Sequence, residues 1–125
     1  VANVMMIGIH PDEVDFSDPA LPLGLDADKI FAGITLSLDQ LKAAGHEASV
    51  VFVSADTAKL DALAEGFAGN AVDCVTIGGG VTRPPKNMEL LEAVLNIIAG
   101  ANPVPRIALV ASPDQALAAV NRVLR

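Results

Sequence analysis

VDCVTIGGGVTRPP, residues 72–85, starts as a short run rich in Val and Ile and stops abruptly at three glycines. A run this short, rich in β-branched residues and closed by a glycine break, reads as a buried strand rather than a piece of helix. The same order of apolar run, loop and amphipathic segment recurs along the chain. The runs are Asn3–Ile9 (NVMMIGI), Ala48–Val53 (ASVVFV), Val72–Ile77 and Arg106–Val110 (RIALV).

The segments between them carry helix punctuation. Asp26 or Asp28 can cap the first helix, Phe31, Ile34, Leu38 and Leu41 form its apolar stripe, and Gly45 ends it. Asp56 or Thr57 opens the second, with Leu60, Leu63, Ala64 and Phe67 facing inward. The third presents Leu91, Val94, Leu95 and Ile98 and stops at Gly100. Ser112, Pro113, Asp114 and Gln115 combine a capping-box pattern with Pro at the first helical position, and Leu117, Val120 and Leu124 follow.

Alternating strands and helices specify an α/β domain with a parallel sheet, and right-handed crossovers restrict its topology. The expectation is a single domain over residues 1–125. It is a flavodoxin-like three-layer α/β/α fold with a four-stranded parallel sheet in the order 2-1-3-4.

Composition narrows the function classes. The chain is 52% hydrophobic, yet no stretch approaches the roughly 18 uninterrupted apolar residues of a membrane span. A net charge of −7 would repel a phosphate backbone, so no nucleic-acid partner and no membrane partner is expected. The absence of Trp and Tyr removes the usual stacking platforms for flavins and bases, and no cofactor is expected. One cysteine excludes an internal disulfide and fits a reducing compartment. The first residues lack the basic start and long apolar stretch of a signal peptide. A cytoplasmic, bacterial protein is the expectation, with a leading residue before Val1.

In sheets of this kind ligands sit beyond the carboxyl ends of the strands, at the switch point between the first and third. Two loops meet there. The first, HPDEVDFSDPALPLGL (residues 10–25), is roughly three times longer than a typical βα loop and is acidic, with Asp12, Glu13, Asp15 and Asp18. The second is the glycine segment. Gly78, Gly79 and Gly80 let backbone approach a ligand, and Thr82 and Arg83 follow them. The pattern is neither G-x-G-x-x-G, since Arg83 stands at the third glycine position, nor a P-loop, and Pro84 and Pro85 remove two donors. Two readings stay open: a turn in which Arg83 and Lys86 pair with Asp residues of the first loop, or a loop that holds an anion.

IHPDEV, residues 9–14, resembles the His-Pro-Asp-Asp-Glu signature of zinc-dependent amidohydrolases of the N-acetylglucosaminyl deacetylase type, with one Asp missing. Zinc catalysis needs three protein ligands and an open position. The other histidine, His46, precedes the second strand and belongs at the opposite end of the sheet from His10. No bound metal is expected, although Asp12, Asp15 and Asp18 would suit magnesium or calcium better than zinc. Other occupants of this fold fail on residues. A receiver domain needs an Asp where Gly78 stands, and a phosphocysteine domain needs its Cys after the first strand, whereas Cys74 lies within the third.

One broader resemblance spans nearly the whole chain. GIHPDEVDFSDPALPLGLDADK (8–29), DCVTIGGGVTRPP (73–85) and ASPDQALAAVNRVL (111–124) are similar to a group of short single-domain flavodoxin-like bacterial proteins of unknown function. The resemblance implies that His10, Pro11, Asp15, Ser17, Asp18, Gly78, Gly80, Arg83 and Pro84 belong to the group's pattern, and it brings no activity with it. The chain departs from the group in the third helix, where Leu90 and Leu91 replace an aromatic.

Two functional classes follow. In the first, a small anionic molecule binds between the two loops at Gly78, Gly79, Gly80, Thr82 and Arg83. If chemistry occurs, His10 is the acid/base, oriented by Asp12 or Asp15. In the second, the chain is a non-catalytic interaction or dimerisation module, and a homodimer is expected from the apolar content and an open sheet edge. A metal-dependent hydrolase built on the His-Pro-Asp-Glu segment is a third reading. An enzyme requires a cavity holding both His10 and Arg83; an interaction module requires a filled switch point and an exposed apolar patch.

Overall fold

The computed structural model describes residues 1–124. Strands β1 (Asn3–Ile9), β2 (Glu47–Val53), β3 (Cys74–Ile77) and β4 (Arg106–Leu109) form one sheet. Every pairing is parallel and the order is β2-β1-β3-β4, the arrangement expected from the alternation of runs and helices. Helices α1 (Ala27–Ala43), α2 (Asp61–Phe67), α3 (Gly79–Thr82), α4 (Met88–Ala99) and α5 (Ala116–Val123) flank it. The architecture is the three-layer, flavodoxin-like α/β/α arrangement. Among the described residues no helix is long and apolar enough to cross a membrane.

The two faces of the sheet follow the alternation of side chains along each strand. Met5, Ile7 and Ile9 of β1 and Val75 and Ile77 of β3 face α2 and α4, where they bury Leu63, Leu90, Val94 and Ile98. Val4, Met6 and Cys74 face α1 and α5, where they meet Leu41, Ala116, Ala119 and Val120. Each fully buried aliphatic side chain contributes about 1.5–3 kcal/mol relative to exposure.

Helix α1 starts as its sequence indicates. Asp26 is the N-cap and its Oδ1 accepts the Lys29 N–H at 2.8 Å. Gly45, at φ +92°, turns the chain out of the helix in the left-handed region. The buried face is less apolar than the expected stripe. Ser37 and Leu41 are wholly buried, whereas Phe31 is exposed. In α4, Leu90 rather than Leu95 completes the buried row with Val94 and Ile98, and in α2 Ala64 faces solvent.

The start of α5 also differs from the capping-box reading. Residues 112–115 form a turn in which Ser112 Oγ donates to the Asp114 carboxylate, and the helix begins at Ala116 with no cap from its own segment. The cap comes from α1. Ser37 Oγ accepts the Ala116 N–H at 3.3 Å and donates to the Pro113 carbonyl at 2.6 Å. Gly33, one turn before Ser37, makes room for this contact. A Cβ there would lie 2.7 Å from Pro113 Cγ.

Candidate functional site

Residues 10–25 are held by successive backbone turns and by their own acidic side chains. Asp15 Oδ1 accepts from the Ser17 N–H (3.1 Å) and hydroxyl (2.5 Å), and Asp18 Oδ1 accepts the Ala20 N–H at 2.9 Å. Asn and Asp stabilise turns in this way, by satisfying backbone donors two residues on. Glu13 accepts from the Ser54 hydroxyl, which ties the loop to the end of β2. These carboxylates hold the loop rather than converge. Among the described residues no group of three or more His, Cys, Asp or Glu is placed to hold a metal ion.

Lys29 Nζ donates to the Gly24 carbonyl at the loop's far end, while the cation that reaches the carboxylates of this loop is Lys86. Its Nζ lies 2.5 Å from Asp15 Oδ2 and 3.7 Å from Asp18 Oδ2. Arg83, expected to pair with one of these carboxylates, makes no ion pair among the described residues. The turn that begins at Pro84 explains the difference. Pro85–Asn87 form a single 3-10 turn, and Asn87 Nδ2 donates to the Gly80 carbonyl at 2.9 Å. That fold-back carries Lys86 over the acidic loop and leaves Arg83 against Gly79. Arg83→Ala is therefore expected to change the unfolding free energy of the free protein by less than about 0.5 kcal/mol, as for an exposed side chain outside a buried network. A shift in urea midpoint equivalent to more than about 1 kcal/mol would contradict this.

The Lys86 ammonium, aided by Ser17, lowers the Asp15 carboxyl from an ordinary 3.8 to about 2, and Asp15 in turn raises Lys86. Asp15's lowered value means that its contribution to stability is complete above about pH 4 and is lost as pH falls towards 2. The raised Lys86 works in the opposite sense, its contribution being lost as pH rises through its folded value. Both groups are half-exposed, so the pair orders the loop more than it stabilises the fold. A carboxyl-detected NMR titration is expected to give Asp15 a midpoint near 2, returning towards its ordinary value in Lys86→Met. An unchanged midpoint in the variant would refute the pairing.

An open cavity of about 240 Å³ lies at the switch point. It exists because side chains are missing there. On β1 the residues facing α1 and α5 are Val4, Met6 and Gly8. A Cβ at Gly8 would meet nothing within 4 Å, and the same is true at Gly80. Glycine inside a strand marks a place where something else approaches the backbone. Met6, Gly8, Val50, Thr76 and Val110 supply the sheet side of the cavity, and Ile30 and Ile34 of α1 stand opposite. Val14, Leu21, Pro22 and Leu25 of the long loop and Gly78–Gly80 with Arg83 complete the wall. Arg83 is the one charged residue among those that line it. A second, more polar cavity of about 260 Å³ adjoins the first, sharing Ile9, Val14, Leu21 and Gly80, and carries Glu13, Asp15 and Lys86.

The candidate residues thus divide. Gly78, Gly79, Gly80 and Arg83 line the apolar cavity. Thr82 does not; its Oγ1 donates back to the Gly78 carbonyl at 3.5 Å. His10 and Asp12 line neither cavity, and Asp15 lines the second. The His10 ring stands edge-on to Phe52 and Phe31, at centroid distances of 4.9 and 5.8 Å. Its Nδ1 accepts the Asp12 N–H at 3.1 Å, which places the ring proton on Nε2; Asp12 Oδ2 is 3.7 Å away. His46 Nδ1 accepts the Ala2 N–H at the amino end of the sheet, far from any partnership with His10. Cys74 is wholly buried, and burial pushes its thiol up to about 11. It is a packing residue, not a nucleophile.

Gly8, Ile30, Ile34 and Thr76 belong to the cavity and were not among the candidates drawn from sequence. Gly8 carried a readable signal, a glycine inside the first strand at the switch point. The α1 residues carried none, because their apolar character reads equally well as core. Comparisons with protein-family models, with curated proteins and with solved structures find no significant match.

Proposed function

We propose that the protein binds a small molecule bearing an anionic group in the cavity at the β1/β3 switch point and performs no chemistry on it. The observation that carries this reading is the company Arg83 keeps. It is the one charge on a wall whose other side chains are apolar apart from Thr76 and Ser112, and no carboxylate pairs with it among the described residues. A guanidinium so placed presents its fork to a ligand carboxylate or phosphate. His10, the acid/base candidate of the first loop, lies outside this cavity with one ring nitrogen already accepting from backbone. The buried Cys74 suits a reducing compartment such as the cytoplasm.

The test is a thermal-shift screen of small organic and inorganic anions on the wild type and on Gly8→Val, which fills the cavity. Ligand-induced stabilisation is expected in the wild type and absent in the variant. A ligand that stabilises both equally binds elsewhere and would refute the reading.

A second reading, self-association, is favoured by a different observation. β4 is an open edge of the sheet, and Ile107, Leu109 and the preceding Val104 are exposed beside it. Arg106 and Val110 donate to the Asp73 and Ile77 carbonyls along β3, so the alternate residues Ile107 and Leu109 turn their backbone groups outward. Arg122 blunts this edge by donating to the Leu109 carbonyl at 3.0 Å. Light scattering at high micromolar concentration that gives a dimer mass, reduced to monomer by Leu109→Lys, would support this reading; a monomer throughout would remove it.

A further inference from the structure

We infer that the ligand class of the switch-point cavity is a monocarboxylate with an aliphatic or similarly apolar body, not a nucleotide, sugar or inorganic phosphate. This inference rests on the binding reading above and makes it specific.

The argument begins with hydrogen-bonding capacity. A sugar or nucleoside brings several hydroxyls and amides, and each one buried without a partner carries a desolvation penalty. The cavity's side chains offer such groups little. Of its lining residues, Thr76 and Ser112 alone have hydroxyls, and the Ser112 hydroxyl already donates to Asp114. The remainder of the surface is Met, Ile, Val, Leu, Pro, Ala and Gly with the single Arg83. An apolar body loses nothing there and gains from leaving water.

Charge selects the head group. Asp15 and Asp18 share one ammonium, Lys86, while Asp12 and Glu13 on the same loop have no ion pair with a Lys or Arg among the described residues. The loop beside the cavity therefore keeps excess negative charge, in a chain whose net charge is −7. A doubly charged phosphate meets more repulsion from that loop than a carboxylate does, and one guanidinium matches one carboxylate. Gly79 sets the position of that guanidinium, since a Cβ there would stand 3.4 Å from Arg83 Cδ and Nε.

Size follows from the cavity. The cavity, about 240 Å³ and open on one side, exceeds the roughly 150 Å³ that holds a six-carbon ring. A body of about eight carbons should therefore fill it.

The experiment is a calorimetric or NMR titration with straight-chain carboxylates from butanoate to dodecanoate, below their micelle concentrations. It adds 1-octanol, inorganic phosphate and AMP as further probes, on wild type, Arg83→Gln, Gly8→Val and the milder Gly8→Ala. Affinity is expected to rise by about fourfold per methylene and to level off near eight carbons. Octanoate should bind more tightly than octanol to wild type, and Arg83→Gln should remove that difference while leaving octanol binding in place. Gly8→Ala should weaken octanoate and Gly8→Val abolish it. Phosphate or AMP binding more tightly than octanoate, with Gly8→Val blocking it, overturns the ligand class and leaves the anion site standing. Octanoate binding unchanged in Gly8→Val, or no binding by any probe at millimolar concentration, overturns both.

Discussion

Ser37→Ala is expected to lower the unfolding free energy by about 2–3 kcal/mol in urea, whereas Ser112→Ala should cost less than about 0.5 kcal/mol. The hydroxyl of Ser37 is wholly buried between α1 and the start of α5. It accepts the Ala116 N–H and donates to the Pro113 carbonyl. The first N–H groups of any helix lack intrahelical partners, and Ser37 supplies one from a residue 79 positions away. Removing it leaves a buried donor and a part-buried acceptor unpaired, and the buried one carries a penalty of about 1–3 kcal/mol. Ser112, the residue that local pattern nominates as the cap, spends its hydroxyl on the exposed Asp114 carboxylate. Equal destabilisation by the two variants would show that the cap assignment is wrong.

Gly33→Ala should destabilise the protein by about 1–3 kcal/mol, although Gly to Ala within a helix ordinarily stabilises by about 1 kcal/mol. The sign reverses because of what the new methyl would meet. Its Cβ would lie 2.7 Å from Pro113 Cγ, 3.0 Å from Pro113 Cβ and 3.2 Å from the Asp114 backbone nitrogen. The last of these is backbone and cannot turn aside, so α1 and the 112–114 turn must separate, and the Ser37 bridge lengthens with them. Pro113→Ala removes the nearest of the three atoms, and the double variant should recover part of the loss, which a double-mutant cycle will read as coupling. A gain in stability from Gly33→Ala alone would mean that the contact is looser than described. The same separation would widen the cavity, since Pro113 and Ile34 both line it.

The position of the cavity was legible in the residues. The four apolar runs and the caps around them lead to a parallel sheet, and the handedness of crossovers then leaves few strand orders. The switch-point rule puts a ligand between the first loop and the glycine segment, and the cavity is there. Individual partners were harder to read. Arg83 and Lys86 are three residues apart with the same charge, and pairing with Asp15 depends on how Pro84 and Pro85 direct the turn. The α4 stripe was read as Leu91, Val94, Leu95 and Ile98. A rotation of roughly half a residue's angle about the helix axis exchanges Leu95 for Leu90, because a run of leucines permits both. The ring of His10, at a strand end, can turn towards the cavity or towards Phe31 and Phe52, and local sequence does not choose.

The sequence by itself determined the class and order of elements, because hydrophobic period, glycine breaks and Asp26 act over a few residues and need no distant partner. It also placed Gly78–Gly80 after β3, where they add no side-chain volume. The tertiary structure decided which face of α1 is buried, what caps α5, and which cation holds the long loop. Ser37 looks like a poor core residue until Pro113 and Ala116 stand within hydrogen-bonding distance, and Gly33 looks like a weak helix position until Pro113 presses on it. These roles arise from contacts between segments some eighty residues apart. They are absent from any local window, and only packing of the two helices on the same face of the sheet brings them into being.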